Sequence, residues 1–218
     1  MSIITIQRKV LEKNDEIAHL NRMVLKQQGV FSFNLVSSPG SGKTSILERT
    51  LEKLRGDLRI GVIEGDVQTD FDAQRIARYQ VPVIQIVTNG GCHLEARLVQ
   101  DAMAKIDLQQ LDLLVIENVG NLVCPANYDL GEMLKVVVVS TTEGDDKPLK
   151  YPGMFRHASV LIINKIDLLP YVNCSLAALK QNALNINPSL RVFETSCTTG
   201  AGIPEWCDWL KEQSVIPS

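Results

Sequence analysis

Seven short apolar runs punctuate the chain: FSFNLV (31–36), RIGVIE (59–64), VPVIQIV (81–87), LDLLVIE (111–117), KVVVVS (135–140), SVLIIN (159–164) and RVFETS (191–196). Most carry apolar side chains at both odd and even positions. A strand of that kind is covered on both faces, which points to a parallel sheet layered between helices. Amphipathic stretches fall between most of the runs, near 43–55, 70–79, 92–105, 175–184 and 203–212. The alternation predicts an α/β fold: a doubly wound, mostly parallel seven-stranded sheet with helices on both faces.

Upstream, residues 3–28 contain no Gly or Pro. Val10, Ile17 and Val24 recur every seven residues, as do Leu11, Ala18 and Leu25. This stripe predicts a helix, either lying on the domain surface or serving as an arm for a partner. The chain therefore divides into an N-terminal helical extension, 1–30, and one domain, 31–218. It carries no internal repeat and no low-complexity tract.

The bulk numbers narrow the function classes. Among 218 residues, 45% are apolar, enough for a sizeable core, and the net charge is −3 with acids and bases interspersed. Nothing in that balance suggests nucleic acid or an anionic membrane as a partner. No run approaches the roughly 20 apolar residues of a membrane span. The first residues, MSIITIQRKVLEKNDE, lack the apolar core of a signal peptide, so a cytoplasmic protein is expected. The five cysteines are odd in number and widely spread, which argues against a disulfide framework.

Candidate chemistry begins with SSPGSGKT (37–44), between the first strand and the first helix of the domain. It follows the phosphate-loop pattern G-x-x-x-x-G-K-S/T except that Ser37 replaces the first glycine. Pro39, Gly40, Ser41, Gly42, Lys43, Thr44 and Ser45 are the expected phosphate cradle. The glycines allow close backbone approach, Lys43 places an ammonium on the β- and γ-phosphates, and Thr44 offers a hydroxyl to Mg²⁺. Asp66 and Glu117, at strand ends, are the candidate acids for that ion, with solvated strand-end acids as the alternative. Gly120 follows Glu117 as in a D-x-x-G element with Glu substituted. Asn121 stands where many GTPases carry a water-positioning Gln, and no arginine occupies an evident finger position, so slow intrinsic hydrolysis is expected.

Asn164, Lys165 and Asp167 form N-K-x-D at the end of the sixth strand. The Asp167 carboxylate can accept from the N1–H and the exocyclic amine of guanine together; adenine would leave it unpaired. Lys165 can cover the base and Asn164 can brace the loop. In TSCTTGAG (195–202), a backbone N–H of Ser196 or Cys197 is expected near the guanine oxygen. In this order, each at a strand end, the motifs predict a GTP/GDP site with Mg²⁺.

Cys92 and His93 adjoin each other in TNGGCHLEARL (88–98), and Cys124 opens a Cys-Pro pair seven residues after Glu117. Thiolate and imidazole suit Zn²⁺ or Ni²⁺. From the spacing alone, core thiols and a surface histidine are the stronger reading. His19 and His157 have no cysteine nearby.

Beyond the single motifs, SSPGSGKTSILE, IEGDVQTDFDAQRI, GGCHLEARLV, IENVGNLVCPANYDLGE, EGDDKPLKYPGMF, NKIDLLPY and TSCTTGAGI occur in order from about residue 30 onward. In these stretches the chain resembles the hydrogenase nickel-incorporation GTPases, the HypB family of SIMIBI-class P-loop GTPases. The resemblance implies a dimeric, metal-regulated GTPase that helps load nickel into nickel–iron hydrogenase. It also implies a nickel metallochaperone and the hydrogenase large subunit as partners. It assigns Cys92, His93 and Cys124 to a nickel or zinc site at a homodimer face, and Lys43, Thr44, Asp66 and Glu117 to phosphate and magnesium. Neither the Cys-rich N-terminal motif nor the His-rich tract of some members is present, so nickel storage is not expected. Urease-accessory GTPases carry a Cys-Pro-His motif, whereas here Cys-His precedes a separate Cys-Pro. Two other readings stand beside these: a nucleotide-gated interaction module with a structural zinc, and a small-metabolite P-loop kinase, which N-K-x-D opposes.

Overall fold

The computed structural model describes residues 6–68 and 71–214. The first residues of the expected helix 3–28, and residue 70 at the start of the expected helix 70–79, lie outside them. The elements run α1 (Ile6–Gln27), β1 (Phe31–Ser37), α2 (Lys43–Leu54), β2 (Ile60–Asp66), α3 (Phe71–Ala77), β3 (Val83–Val87), α4 (Ala96–Met103), β4 (Leu113–Glu117), β5 (Leu134–Ser140), α5 (Lys147–Lys150), α6 (Pro152–His157), β6 (Val160–Asn164), α7 (Leu176–Ile186), β7 (Arg191–Glu194) and α8 (Ile203–Ser214). The seven strands form one sheet in the order β3-β2-β4-β1-β5-β6-β7. Every pairing is parallel.

β1 lies between β4 and β5, so strand order reverses around it. Open α/β sheets bind ligands at the carboxyl ends of strands beside such a reversal. Phe31, Phe33 and Leu35 of β1 face a layer holding Leu47 and Leu51 of α2 and Trp206 and Leu210 of α8. Trp206 is fully buried, edge-on to Phe33 and Phe193, and its Nε1–H donates to Thr50 Oγ1 at 2.9 Å. The opposite face is covered by α6 and α7, through Met154, Phe155 and Leu179, and by α1 with α4, through Leu25, Val99 and Met103.

Helix α1 docks through one row of its apolar repeat, widened by two asparagines, and leaves part of the other row outside. Ala18 and Leu25 are fully buried, but so is Asn21, and Asn14 nearly so, while Val10 and Val24 are more than 40% exposed. The asparagines go inside because they satisfy backbone groups there. Asn21 Nδ2 donates to the carbonyls of Ala96 and Leu130 at 2.8 and 2.9 Å, and Asn14 Oδ1 accepts from the Ala96 N–H at 2.9 Å. The approach is close at Gly131, whose φ is +95°; a Cβ there would lie 2.5 Å from the Asn21 Cβ. Removing Asn21 would strand two buried carbonyls, at a cost of about 1–3 kcal/mol.

The sequence pattern leaves 141–158 unassigned, yet α5 and α6 form there. Each is a single short piece with Pro148 or Pro152 in its first turn, too brief to show a helical period. The helix expected from 92 begins only at Ala96. Residues Asn89 and Gly90 adopt φ of +50° and +97°, and the chain turns rather than coils through Cys92 and His93.

Candidate functional site

A cavity of about 480 Å³ opens at the carboxyl ends of the central strands. Of the residues singled out by motif, Pro39, Gly40, Gly42, Lys43, Thr44, Ser45, Asp66, Gly120 and Lys165 line it. Ser37 ends β1 as an ordinary strand residue, so a glycine is not required where the usual pattern has one. The requirement lies further on. Gly42 has φ of +94°, and a Cβ there would sit 2.4 Å from Asn164 Nδ2. The amino end of α2 begins at Lys43, directing unpaired backbone N–H groups toward the cavity.

Behind this loop the polar side chains are tied. Asn164 Nδ2 donates to the Ser41 carbonyl at 3.0 Å, and Lys165 Nζ to the Gly40 carbonyl at 2.6 Å. Ser41 Oγ donates to Glu143 Oε2 at 2.6 Å, which also accepts from the Ser140 N–H. Burial works against the Glu143 carboxylate, but the hydrogen bonds from Ser41 and Ser38 hold it below the usual carboxylate range. Glu143 escaped the sequence reading because only the β1–β5 pairing brings its turn beside the loop.

Glu117, fully buried, accepts from Lys43 Nζ at 2.7 Å and from Thr44 Oγ1 at 2.6 Å, both at Oε1. Its Oε2 and the Oε2 of buried Glu64 have no hydrogen-bond partner among the described residues. Glu64, Asp72 and Glu117 each bring a carboxylate oxygen within 4.8 Å of the others. Burial pushes the Glu64 carboxyl far up, and the neighbouring Glu117 charge adds to it. Burial alone would lower the Lys43 ammonium; the charges of Glu117 and Glu64 outweigh it and hold Lys43 above its ordinary value. Two orphaned buried carboxylate oxygens beside a threonine hydroxyl fit a hard divalent cation such as Mg²⁺. Asp66 lines the cavity, and its Oδ1 accepts from the Gln68 N–H at 2.9 Å, outside the three-acid cluster. Glu64 was hidden in an apolar strand. Arg75 also lines the cavity and pairs with Asp72 and Glu48 at 2.9 and 2.6 Å.

In the N-K-x-D element, Lys165 adopts a left-handed φ of +62°, and its carbonyl accepts from Thr141 Oγ1. Asp167 lies in the turn Ile166–Tyr171, partly exposed, beyond the cavity lining. The Ser196 N–H donates to the Ala201 carbonyl at 2.9 Å, so it is not directed at a base, contrary to expectation for that residue. Cys197 Sγ donates weakly to Asn164 Oδ1, and burial pushes its thiol up to about 11.

The second cluster sits at the rim. Cys92, His93 and Cys124 bring ligand atoms within 4.8 Å of one another. The two sulfurs are 2.7 Å apart, and His93 Nδ1 is 3.5 Å from Cys92 Sγ. Hydrogen bonding to Cys124, then burial, raise the Cys92 thiol. Burial lowers His93, favouring the neutral imidazole that ligates metals. Its ring packs against Tyr128 at 3.9 Å between centroids, tilted by 41°, and its Nε2 is buried without a partner among the described residues. Cys124 starts the 3₁₀ turn Cys124–Asn127, pinned by Lys135 Nζ donating to the Pro125 and Tyr128 carbonyls. Two thiols and an imidazole suit a borderline divalent cation with a fourth position open.

Residues 32–194 match the family described as CobW/HypB/UreG, nucleotide-binding domain. The chain is 49% identical over 211 residues to the hydrogenase maturation factor HypB of Azotobacter vinelandii, covering 97% of this chain and 70% of the relative. It is 46% identical to that of Escherichia coli K12, covering 97% and 73%. Among solved structures, HypB from Archaeoglobus fulgidus aligns with a TM-score of 0.88 and 39% identity, over 93% of this chain and 99% of that one. HypB from Helicobacter pylori in complex with nickel aligns with a TM-score of 0.88 and 37% identity, over 93% and 95%. With a nucleotide cradle at the sheet's reversal, a thiol–imidazole corner at its rim and this degree of likeness, the chain belongs to the HypB family of hydrogenase maturation factors.

Proposed function

We propose that this protein is a metal-regulated GTPase that assists nickel insertion into nickel–iron hydrogenase. One observation carries the reading: residues 117–124 run without interruption from Glu117, bonded to Lys43 and Thr44, to Cys124, whose sulfur meets Cys92. A change at the phosphates therefore has a short covalent route to the metal ligands.

In this reading Gly40, Gly42 and the amino end of α2 surround the phosphates, and Lys43 leaves Glu117 to meet the β- and γ-oxygens. Thr44, Glu117, Asp66 and the adjoining Glu64 and Asp72 hold Mg²⁺ directly or through water. The ion, when bound, neutralises charge on the phosphates during transfer to water. Asp167 selects guanine, with Lys165 over the base and the Cys197 N–H near its oxygen. No water-positioning glutamine follows Gly120, so turnover is slow until a partner completes the site. Cys92, His93 and Cys124 hold nickel or zinc as cargo. A second copy supplies the remaining ligands, and exposed Val67, Phe71, Val87 and Val123, near the same strand ends, suit such a contact. A nickel metallochaperone and the hydrogenase large subunit are the proposed donor and acceptor. Among the described residues no helix is long and apolar enough to cross a membrane.

Molecular mass measured in solution across apo, Zn²⁺ and Ni²⁺ samples, each with GDP or a non-hydrolysable GTP analogue, tests the reading. Assembly that depends on both nucleotide and metal is expected. Assembly indifferent to the nucleotide, together with equal metal affinities in the two nucleotide states, would leave an interaction module with a structural zinc.

A further inference from the structure

Two asparagines of the 117–124 segment reach across to the segment that carries Cys92 and His93. Asn118, fully buried, accepts the Leu94 N–H at 3.1 Å and the Val119 N–H at 2.9 Å through one Oδ1. Its Nδ2 donates to Asn34 Oδ1 on β1 at 3.2 Å, and Asn34 Nδ2 in turn donates to Glu132 at 3.3 Å. Asn121 Nδ2 donates to the Cys92 carbonyl at 3.2 Å, while its Oδ1 accepts the Val123 N–H at 2.8 Å.

The two amides do different work. Asn118 sits in a buried polar chain whose members are all engaged, so it is a fixed pivot anchored to the sheet. Asn121 is half-buried and lies on the turn beyond that pivot. The turn touches the phosphate loop, since a Cβ added to Gly120 would lie 3.4 Å from atoms of Pro39. On its far side Leu122, 4% exposed, roots the segment in the core before Cys124. Cys92 is held differently: its side chain is exposed and follows the left-handed residues Asn89 and Gly90, and its own root is Leu94 two residues on, fully buried and bonded through its N–H to Asn118. Cys124 feels the Gly120 turn through the chain itself. Cys92 feels it through the Asn121 amide.

We infer that Asn121 is the positioning residue that ties the Cys92 loop to the nucleotide state, with Asn118 as its pivot. When the Asn121 amide donates its hydrogen bond to the Cys92 carbonyl, the two sulfurs lie side by side. Displacing the Gly120 turn draws the amide away and frees the Cys92 loop to part from Cys124. The inference rests on the proposed coupling of nucleotide to metal and adds the group that transmits it.

The test measures Ni²⁺ and Zn²⁺ affinities by competition with a chromophoric chelator, in GDP and in a non-hydrolysable GTP analogue. The wild-type protein is expected to show at least about a fivefold ratio between the two states. In Asn121→Ala that ratio falls to within about twofold of unity. Asn121→Asp keeps the acceptor for the Val123 N–H and loses the donor to Cys92, and the same collapse is expected. Thermal melting checks that both variants fold, and nucleotide affinity without metal checks the cavity, which Asn121 does not line. A purely structural brace would weaken metal binding equally in both states; a ratio that survives in either variant overturns the inference. A wild-type ratio of one defeats the coupling itself, and is distinguishable because it appears before any substitution is made.

Discussion

The nucleotide cradle and the thiol corner are joined by eight residues but built on opposite plans. In the cradle, polar side chains are buried and held: Lys43 and Thr44 by Glu117, Ser41 by Glu143, and the loop carbonyls by Asn164 and Lys165. At the corner, the ligands sit on turns after β3 and β4, Cys92 is exposed, and the sulfurs chiefly contact each other. The difference matches what the proposed function asks of each end. A polyanion is gripped best by groups fixed beforehand, because little ordering remains at binding. A metal that must be handed on is served by an accessible set on segments that can move.

If the corner is a separate binding site of few ligands, losing one should be severe and local. Cys124→Ala is expected to weaken Ni²⁺ and Zn²⁺ binding by on the order of 1000-fold, since each ligand of such a site carries about 3–4 kcal/mol. Nucleotide affinity in a metal-free buffer should stay within about twofold of wild type. Chelator competition and calorimetry give the two numbers, and a large loss of nucleotide binding without metal would erase the distinction between the regions.

Lys43→Ala probes the other side. Removing a charge-assisted contact to two phosphates should weaken GTP and GDP binding by on the order of 100-fold. Metal affinity without nucleotide should be unchanged. Fluorescent-nucleotide titration checks the first, and chelator competition the second.

A smaller effect should come from behind the loop. Glu143→Gln keeps an acceptor for Ser41 but loses the charge that faces Lys147 at 3.3 Å. GTP affinity should fall by about three- to tenfold, the range of one weakened charged hydrogen bond. The metal corner should not register it.

These residues also mark how far the sequence could be read. The strands were plain because apolar side chains occupy both faces of each run, and the cradle because its glycines, lysine and threonine are contiguous. Cys92, His93 and Cys124 are separated by a strand and a helix, so their meeting depends on β2 lying between β3 and β4. The same holds for Glu64, which joins Glu117 through the β2–β4 register, and for Glu143, which meets Ser41 because β5 lies beside β1. Sheet order is not written in local periodicity. The full width of the α1 docking face was hidden for a different reason: Asn14 and Asn21 count as polar in a pattern, yet they pair with buried backbone groups of Ala96 and Leu130 and so belong inside. Between the N–H groups of Ser196 and Cys197 the sequence could not choose, because a loop's internal hydrogen bonds, here from Ser196 to Ala201, leave no trace in a motif.

The smallest effect bears on why the cradle is held at all. Glu64 and Glu117 lie buried together with Lys43, and burial with the Glu117 charge raises the Glu64 carboxyl well above its ordinary value of about 4.5. Below about pH 4.5 folded and unfolded chains both carry that proton. Above it the unfolded chain releases the proton and the folded chain keeps it, so the nucleotide-free protein loses stability as pH rises toward the folded value. Glu64→Gln removes the titration while preserving the shape. Without nucleotide or Mg²⁺, its melting temperature should match wild type near pH 4.5 and exceed it by a few degrees at pH 8. Adding Mg²⁺ and GTP should reverse the order at pH 8, because the wild-type carboxylate gains a cation there and the amide does not. A melting curve for Glu64→Gln that parallels wild type at every pH, with and without Mg²⁺ and GTP, would mean that the orphaned oxygens carry no charge penalty. The contrast between a buried, charge-bearing cradle and a more exposed corner would then rest on hydrogen bonds alone.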